Sequence, residues 1–135
     1  MIDRISHVGV LVRDLEGTLR EFKEALGLRP EAVKEKGSNR IAFIPVGGDE
    51  IELIQPGDPE GRLGRHLAER GEGVHHIALE TDDIDSQLLR LRGKVDVLDA
   101  EPIMGAHGVR IAFVALRGSG LILELIERVK PEEKD

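Results

Sequence analysis

The sequence contains an internal repeat that spans most of the chain. HVGVLVRDLEGTLREF (7–22) aligns with HIALETDDIDSQLLRL (76–91) at an offset of 69 residues. Two shorter pairs continue the alignment: RIAF at 40–43 and 110–113, and IELI at 51–54 with LELI at 123–126. The offset grows only to 72, a small change in loop length. This internal repeat predicts two copies of one supersecondary unit.

Each half has the pattern of a βαβββ module. An apolar run is followed by an Asp with helix-capping preference, Asp14 or Asp83, and then by apolar residues at spacings of three and four. Strands are predicted at 5–12, 30–36, 40–46 and 50–55 in the first half, and at 75–81, 94–98, 109–116 and 120–127 in the second. A turn-rich segment between them predicts one short helix near 61–69.

These elements predict one domain, 1–135, made of module one (1–56), a linker (57–73), module two (74–128) and a tail (129–135). One helix cannot cover both faces of a four-stranded sheet, so the modules are expected to pair. We therefore predict an α+β fold in which a pseudo-twofold axis relates the modules. Together they form one cupped, mostly antiparallel sheet with the helices outside.

Composition narrows the functional classes. A formal net charge of −7 without a basic block argues against binding to nucleic acid or an anionic membrane. No apolar run reaches the ~20 residues of a membrane span, and the N-terminus lacks signal-peptide order, so a cytoplasmic protein is expected. With no cysteine, disulfides and thiolate metal sites are excluded. A small-molecule partner fits this composition.

Four polar side chains occupy equivalent positions of the two modules. His7 and His76 begin matching strands, and Glu52 and Glu124 stand between apolar residues of matching strands. A carboxylate in such a strand costs several kcal/mol to desolvate unless it is paired or binds a cation. Two His and two Glu that converge on the axis suit a divalent ion of the Zn, Ni, Co, Mn or Fe type.

The other three histidines receive weaker assignments. Strand alternation puts His75 on the side of its strand opposite to His76, which favours a structural or supporting role. His66, in the linker helix, is expected at the surface. His107, in the turn GAHG, is expected either to be a loop residue or to line the mouth of a substrate site.

Five stretches that span most of the chain have a recognisable family pattern. They are ISHVGVLVRDLEGTLREFKEALGL (5–28), IAFIPVGGDEIELIQP (41–56), GEGVHHIALETDDID (71–85), GAHGVRIAF (105–113) and LILELIE (121–127). In these stretches the chain resembles the vicinal oxygen chelate (glyoxalase/bleomycin resistance/dioxygenase) superfamily, and within it the methylmalonyl-CoA epimerases. The double-His segment after a linker helix and the GAHG turn favour the epimerases over their relatives.

This resemblance implies a metal-dependent epimerase that interconverts (2R)- and (2S)-methylmalonyl-CoA by 1,1-proton transfer through a metal-stabilised enolate. The implied ligands of a divalent ion (Co, Ni, Mn or Zn) are His7, Glu52, His76 and Glu124. Glu124 is implied as the principal base and Glu52 as its partner on the opposite face. The implied partners are an acyl-CoA substrate and a second copy of the chain in a homodimer.

Two departures from the family pattern bear on these roles. Some members carry a further acid/base carboxylate on the third strand, where this chain has RIAFIPV (40–46). The family often continues its seventh strand into His-Pro-Lys-Ser, where this chain has ALRG (115–118), so Arg117 is a candidate replacement for the lysine.

Three alternative functions stay open. A glyoxalase I-type lactoylglutathione lyase uses the same ligand types. An Fe(II) extradiol dioxygenase fits less well, because Glu52 would be surplus to its three ligands. A metal-free, drug-binding dimer of the same fold usually has aromatic side chains in the cup, whereas this chain has only three Phe and no Tyr or Trp.

Overall fold

A computed structural model describes residues 1–105 and 108–128; His107 and the tail 129–135 lie outside the described residues. Three α-helices and nine strands follow one another within this part of the chain. They are β1 (Ile2–Leu11), α1 (Leu15–Glu21), β2 (Ala32–Lys36), β3 (Asn39–Val46), β4 (Asp49–Gln55), α2 (Arg62–Arg70), β5 (Gly73–Thr81), α3 (Ile84–Leu91), β6 (Asp96–Val97), β7 (Ile103–Met104), β8 (Arg110–Ala115) and β9 (Ile122–Glu127). Among the described residues, no helix has the length and apolar character to cross a membrane.

The chain divides into two compact units. Unit one is His7–His76, and unit two comprises Met1–Ser6 and the chain from Ile77 onward. The boundaries therefore fall within β1 and β5. Five of the strand pairings within the units are antiparallel and two are parallel, which agrees with the predicted α+β class.

Unit one is a sheet in the order β2-β3-β4-β1, and only its β4–β1 pair is parallel. Asp14 begins α1 by accepting a hydrogen bond from Gly17 N. Beyond Glu21 the helix continues as a π-helical turn, Phe22–Leu26, which ends at Gly27 with a left-handed φ of 69°. Buried apolar residues of α1, of the strands and of the segment between β1 and α1 form the core of this unit: Val12, Leu15, Ala42, Ile44 and Leu53.

Unit two repeats this arrangement. Its strand order is β5-β9-β8-β6, the β5–β9 pair is parallel, and Asp83 begins α3 by accepting from Ser86 N. The core residues come from α3, from the strands and from the segment between α3 and β6: Ile84, Leu88, Val95, Ala112, Val114 and Leu125.

The repeat extends to the side chains that hold each helix start. In unit one, Leu15 N donates to Gln55 Oε1 at 2.8 Å, and Arg40 Nη2 donates to Glu16 at 2.7 Å. In unit two the same places are taken by repeat partners: Ile84 N donates to Glu127, and Arg110 donates to Asp85 through both terminal nitrogens. The two modules therefore share one way of joining helix to sheet.

The predicted strand 94–98 is wrong in its extent. The structure has two short strands instead, β6 and β7, which pair with opposite ends of β8. Between them Asp99 Oδ2 accepts the hydrogen bond of Phe113 N, so a side chain replaces a strand carbonyl. Pro102, which has no N–H to donate, follows in the same gap. These two residues interrupt the strand that remains continuous in unit one.

Candidate metal centre

The site in unit one is built on the parallel pair β1–β4. Alternation along β1 puts His7 and Gly9 on one face, and the register sets Gly9 opposite Glu52 of β4. On the other side of Glu52 lies Phe43 of β3, which is 1% exposed. On its sheet, Glu52 therefore lies between a residue without a side chain and a residue with an aromatic ring.

His7, Glu52 and His76, three of the four predicted ligands, lie together in unit one. Each offers one ligand atom within 4.8 Å of the others, and all three residues are buried. His7 Nε2 lies 3.5 Å from Glu52 Oε2, and the rings of His7 and His76 meet edge to face with centroids 5.5 Å apart. Two imidazole nitrogens and a carboxylate oxygen at this spacing match the donors that a divalent transition ion prefers.

Gly9 makes room for the second imidazole. A Cβ at this position would lie 2.0 Å from Cε1 of His76 and 2.4 Å from its Nε2. No side chain fits there unless the ring moves. The absence of a side chain at Gly9 thus shapes the cradle of the cluster, and this observation supports its fit to a metal ion. Sequence alternation put Gly9 on the correct face but gave it no role.

The prediction that His75 points away from His76 is wrong. Their Nδ1 atoms lie 2.8 Å apart, within hydrogen-bond distance, and His75 is itself 8% exposed. Both side chains are buried, so the strict alternation that puts adjacent residues on opposite faces does not describe this pair. The supporting role predicted for His75 agrees with this contact.

His66 is also placed differently from the prediction. It is half-buried rather than at the surface, because its ring packs edge to face on His75 with centroids 4.6 Å apart. Burial, reinforced by the charge of Arg70, lowers the pKa of His66 below its ordinary value. Helix α2 therefore packs a ring that favours the neutral state against His75.

Glu124 lies in unit two, on β9, and is 5% exposed. It stands opposite Phe113 of β8 and beside Ala78 of β5. Phe113 and Ala78 are the repeat partners of the residues that flank Glu52, so the two glutamates occupy equivalent environments in their units. Its assignment as the fourth ligand and as the base remains a prediction.

A second group of acidic side chains lies at the start of α3: Asp83, Asp85 and Glu127. Arg110 donates to both oxygens of Asp85 at 2.9 and 3.0 Å and approaches Glu127 at 3.5 Å. Asp85, as the largest cause, and Glu127 raise the pKa of Arg110. The cluster therefore already holds a cation, the guanidinium, and belongs to the helix–sheet junction.

Arg117, the candidate for a thioester-recognising cation, contacts neighbouring loops. Its Nη1 donates to the carbonyl of Gly93 at 2.8 Å, and its Nε lies 3.6 Å from Asp96. These contacts join the β8–β9 turn to the segment after α3. Substrate recognition by Arg117 stays a prediction, and His107 lies outside the described residues.

Comparison with known proteins identifies the family. The profile of the Glyoxalase/Bleomycin resistance protein/Dioxygenase superfamily matches residues 6–113. The chain belongs to this superfamily. The match runs through both modules and includes three of the four predicted ligands, so the resemblance to this superfamily seen in the sequence is confirmed.

Relatives within the superfamily include epimerases. The chain is 32% identical over 134 residues to the ethylmalonyl-CoA/methylmalonyl-CoA epimerase of Cereibacter sphaeroides. The alignment covers 93% of this chain and 98% of the relative. It is also 32% identical over 131 residues to the uncharacterized protein YqjC of Bacillus subtilis, with 93% of each covered. Streptomyces coelicolor methylmalonyl-CoA epimerase in complex with 2-nitronate-propionyl-CoA superimposes with a TM-score of 0.88 at 30% identity, over 99% of this chain and 100% of that one. The predicted α+β fold is confirmed by this likeness.

Proposed function

We propose that this chain is a metal-dependent epimerase that interconverts (2R)- and (2S)-methylmalonyl-CoA and works as a homodimer in the cytoplasm. The observation that carries the proposal is the buried His7–Glu52–His76 cluster, in a chain with the fold and length of methylmalonyl-CoA epimerases. Glu124 completes the proposed ligand set. Co, Ni, Mn and Zn all suit its nitrogen and oxygen donors.

The reaction needs one proton to leave C2 on one face and another to arrive on the opposite face. Removal of the proton sends the C–H electron pair toward the thioester carbonyl, and reprotonation brings it back to C2. The atoms balance, and only the configuration changes. A divalent ion held by the four residues would supply Lewis-acid stabilisation of the negative charge on the substrate oxygens.

The chain's own residues supply the remaining chemistry. Glu124 is proposed to take the C2 proton, and Glu52 is proposed to act on the opposite face. On the third strand, 39–46, Arg40 is the single charged residue, so Glu52 serves where some family members use another carboxylate. The buried setting of both glutamates excludes water, which strengthens their interactions with the substrate.

The decisive experiment follows proton exchange and stereochemistry together. Purified protein loaded in turn with Co²⁺, Ni²⁺, Mn²⁺ and Zn²⁺ is incubated with one epimer of methylmalonyl-CoA in D₂O. Deuterium incorporation at C2 and formation of the other epimer are expected, with loss on addition of EDTA and recovery on return of the metal. Absence of both with every metal would overturn the proposed activity.

The same protein also tests the two main alternatives. Isomerisation of the methylglyoxal–glutathione hemithioacetal without exchange into methylmalonyl-CoA would indicate a lactoylglutathione lyase. A metal-free binding protein would contain no stoichiometric divalent ion, and its ligand binding would survive the double variant His7→Ala/His76→Ala.

A further inference from the structure

His75 and His76 form a buried imidazole pair next to the proposed metal ligands. Their Nδ1 atoms are 2.8 Å apart and their ring planes are inclined at 87°. His75 is 8% and His76 2% exposed, so bulk water does not separate the two rings. The ring of His66 packs edge to face against the ring of His75. The pair is therefore held by packing as well as by the short contact.

Two ring nitrogens at this distance share one proton. If both nitrogens carried a hydrogen the two hydrogens would collide, and if neither did the two lone pairs would repel. One Nδ1 is thus the donor and the other the acceptor. Two arrangements satisfy this condition, and they leave opposite nitrogens of His76 protonated.

Only one of these arrangements allows His76 to bind a cation. When His76 Nδ1 donates to His75 Nδ1, Nε2 of His76 keeps its lone pair. When the proton belongs to His75, Nε2 of His76 carries the hydrogen and cannot be a ligand. Since Nδ1 of His76 already faces His75, Nε2 is the nitrogen left for the metal.

We propose that His75 is a positioning residue that fixes the tautomer and orientation of His76 for metal binding. Its Nδ1 accepts a hydrogen bond from His76 Nδ1–H, so the metal-binding tautomer is selected before the ion arrives. This inference rests on the proposed function for the identity of the ligand, but it concerns the ion rather than the substrate. A partner of this kind makes a ligating imidazole more basic and holds its plane.

The test separates the acceptor at position 75 from its volume. His75→Asn places a carbonyl oxygen close to the position of Nδ1, whereas His75→Phe keeps a ring of similar size without an acceptor. Dissociation constants for Zn²⁺ and Co²⁺ are measured by calorimetry at one pH, and far-ultraviolet circular dichroism checks the fold. His75→Phe is expected to weaken binding about 10- to 100-fold, and His75→Asn to restore most of it.

A matched control and a spectroscopic measurement complete the test. His66→Phe keeps the ring that covers His75 and should leave both dissociation constants unchanged. Long-range ¹H–¹⁵N correlation spectra of the Zn²⁺-loaded protein should show His76 protonated at Nδ1 and His75 protonated at Nε2. A His75→Phe variant that binds like the wild type, or a His75→Asn variant as weak as His75→Phe, would overturn the inference.

Activity measurements distinguish this inference from the proposed function. Tight metal binding that depends on an acceptor at position 75, without any epimerisation, would support the inference and contradict the epimerase. Epimerisation with unaltered metal binding in His75→Phe would do the reverse. A wild-type chain that binds none of the four metals would overturn both.

Discussion

A Cβ atom at Gly9 would lie 2.0 Å from Cε1 of His76, so this glycine and this imidazole occupy complementary space. Gly9→Ala must displace the His76 ring, because ordinary carbon contacts begin near 3.4 Å. A metal site tolerates about 0.5 Å of misplacement, so we expect the dissociation constant for Co²⁺ or Zn²⁺ to rise at least about tenfold. Calorimetry measures this change.

Gly48→Ala is the matched control for that substitution. A Cβ at Gly48 meets no atom within 4 Å, and this residue also lies in unit one. The metal affinity of the Gly48→Ala variant should equal that of the wild type. If Gly9→Ala retained full affinity, the ring of His76 would have to bind the ion from a different position, and the proposed cluster would be wrong.

Glu124→Gln tests the proposed base. The amide keeps the size of the side chain but cannot accept the C2 proton, so kcat for epimerisation should fall about 10²- to 10⁴-fold while the fold is kept. Glu127→Gln is the matched control on the same strand, because Gln55 holds the equivalent place in unit one. Normal turnover by Glu124→Gln would remove Glu124 from the mechanism.

Much of the fold could be predicted because the repeat doubles every local signal. The apolar alternation of one strand is weak on its own, but its recurrence with an Asp cap and an amphipathic helix at a fixed offset identifies a module. The same logic brought His7 and His76 together and paired Glu52 with Glu124. In the structure the ligand atoms of His7, Glu52 and His76 lie within 4.8 Å of one another, in one unit.

The features that sequence reasoning missed depend on side-chain geometry. The need for glycine at position 9 depends on how closely the His76 ring on β5 approaches β1 within unit one. The contact between the Nδ1 atoms of His75 and His76 departs from strand alternation, which puts adjacent side chains on opposite faces. The division of the predicted strand into β6 and β7 depends on the hydrogen bond between Phe113 N and the Asp99 carboxylate. The identity of residue 99 alone does not predict this hydrogen bond.

The helix caps give a prediction about stability. Asp14 accepts from Gly17 N, and Asp83 accepts from both N and Oγ of Ser86. Replacing either Asp with Ala should lower the free energy of unfolding by about 1 kcal/mol, with a range of roughly 0.5–2 kcal/mol, as measured by urea denaturation. Asp→Asn at the same positions preserves an acceptor and should cost much less. Equal losses for Ala and Asn would show that charge, not the cap hydrogen bond, stabilises these helices.

The position of His66 predicts a pH dependence of stability. Burial is the largest cause that lowers its folded pKa below the ordinary 6.5, and Arg70 adds to it while Glu69 opposes it. The folded chain therefore binds this proton less readily than the unfolded chain. The stabilising contribution is complete above the unfolded pKa and is lost as pH falls through the folded pKa. Urea denaturation of metal-free protein at pH 7.5, 6.5 and 5.5 should thus show a weaker decline for His66→Gln than for the wild type, whereas identical declines would mean that other groups account for it.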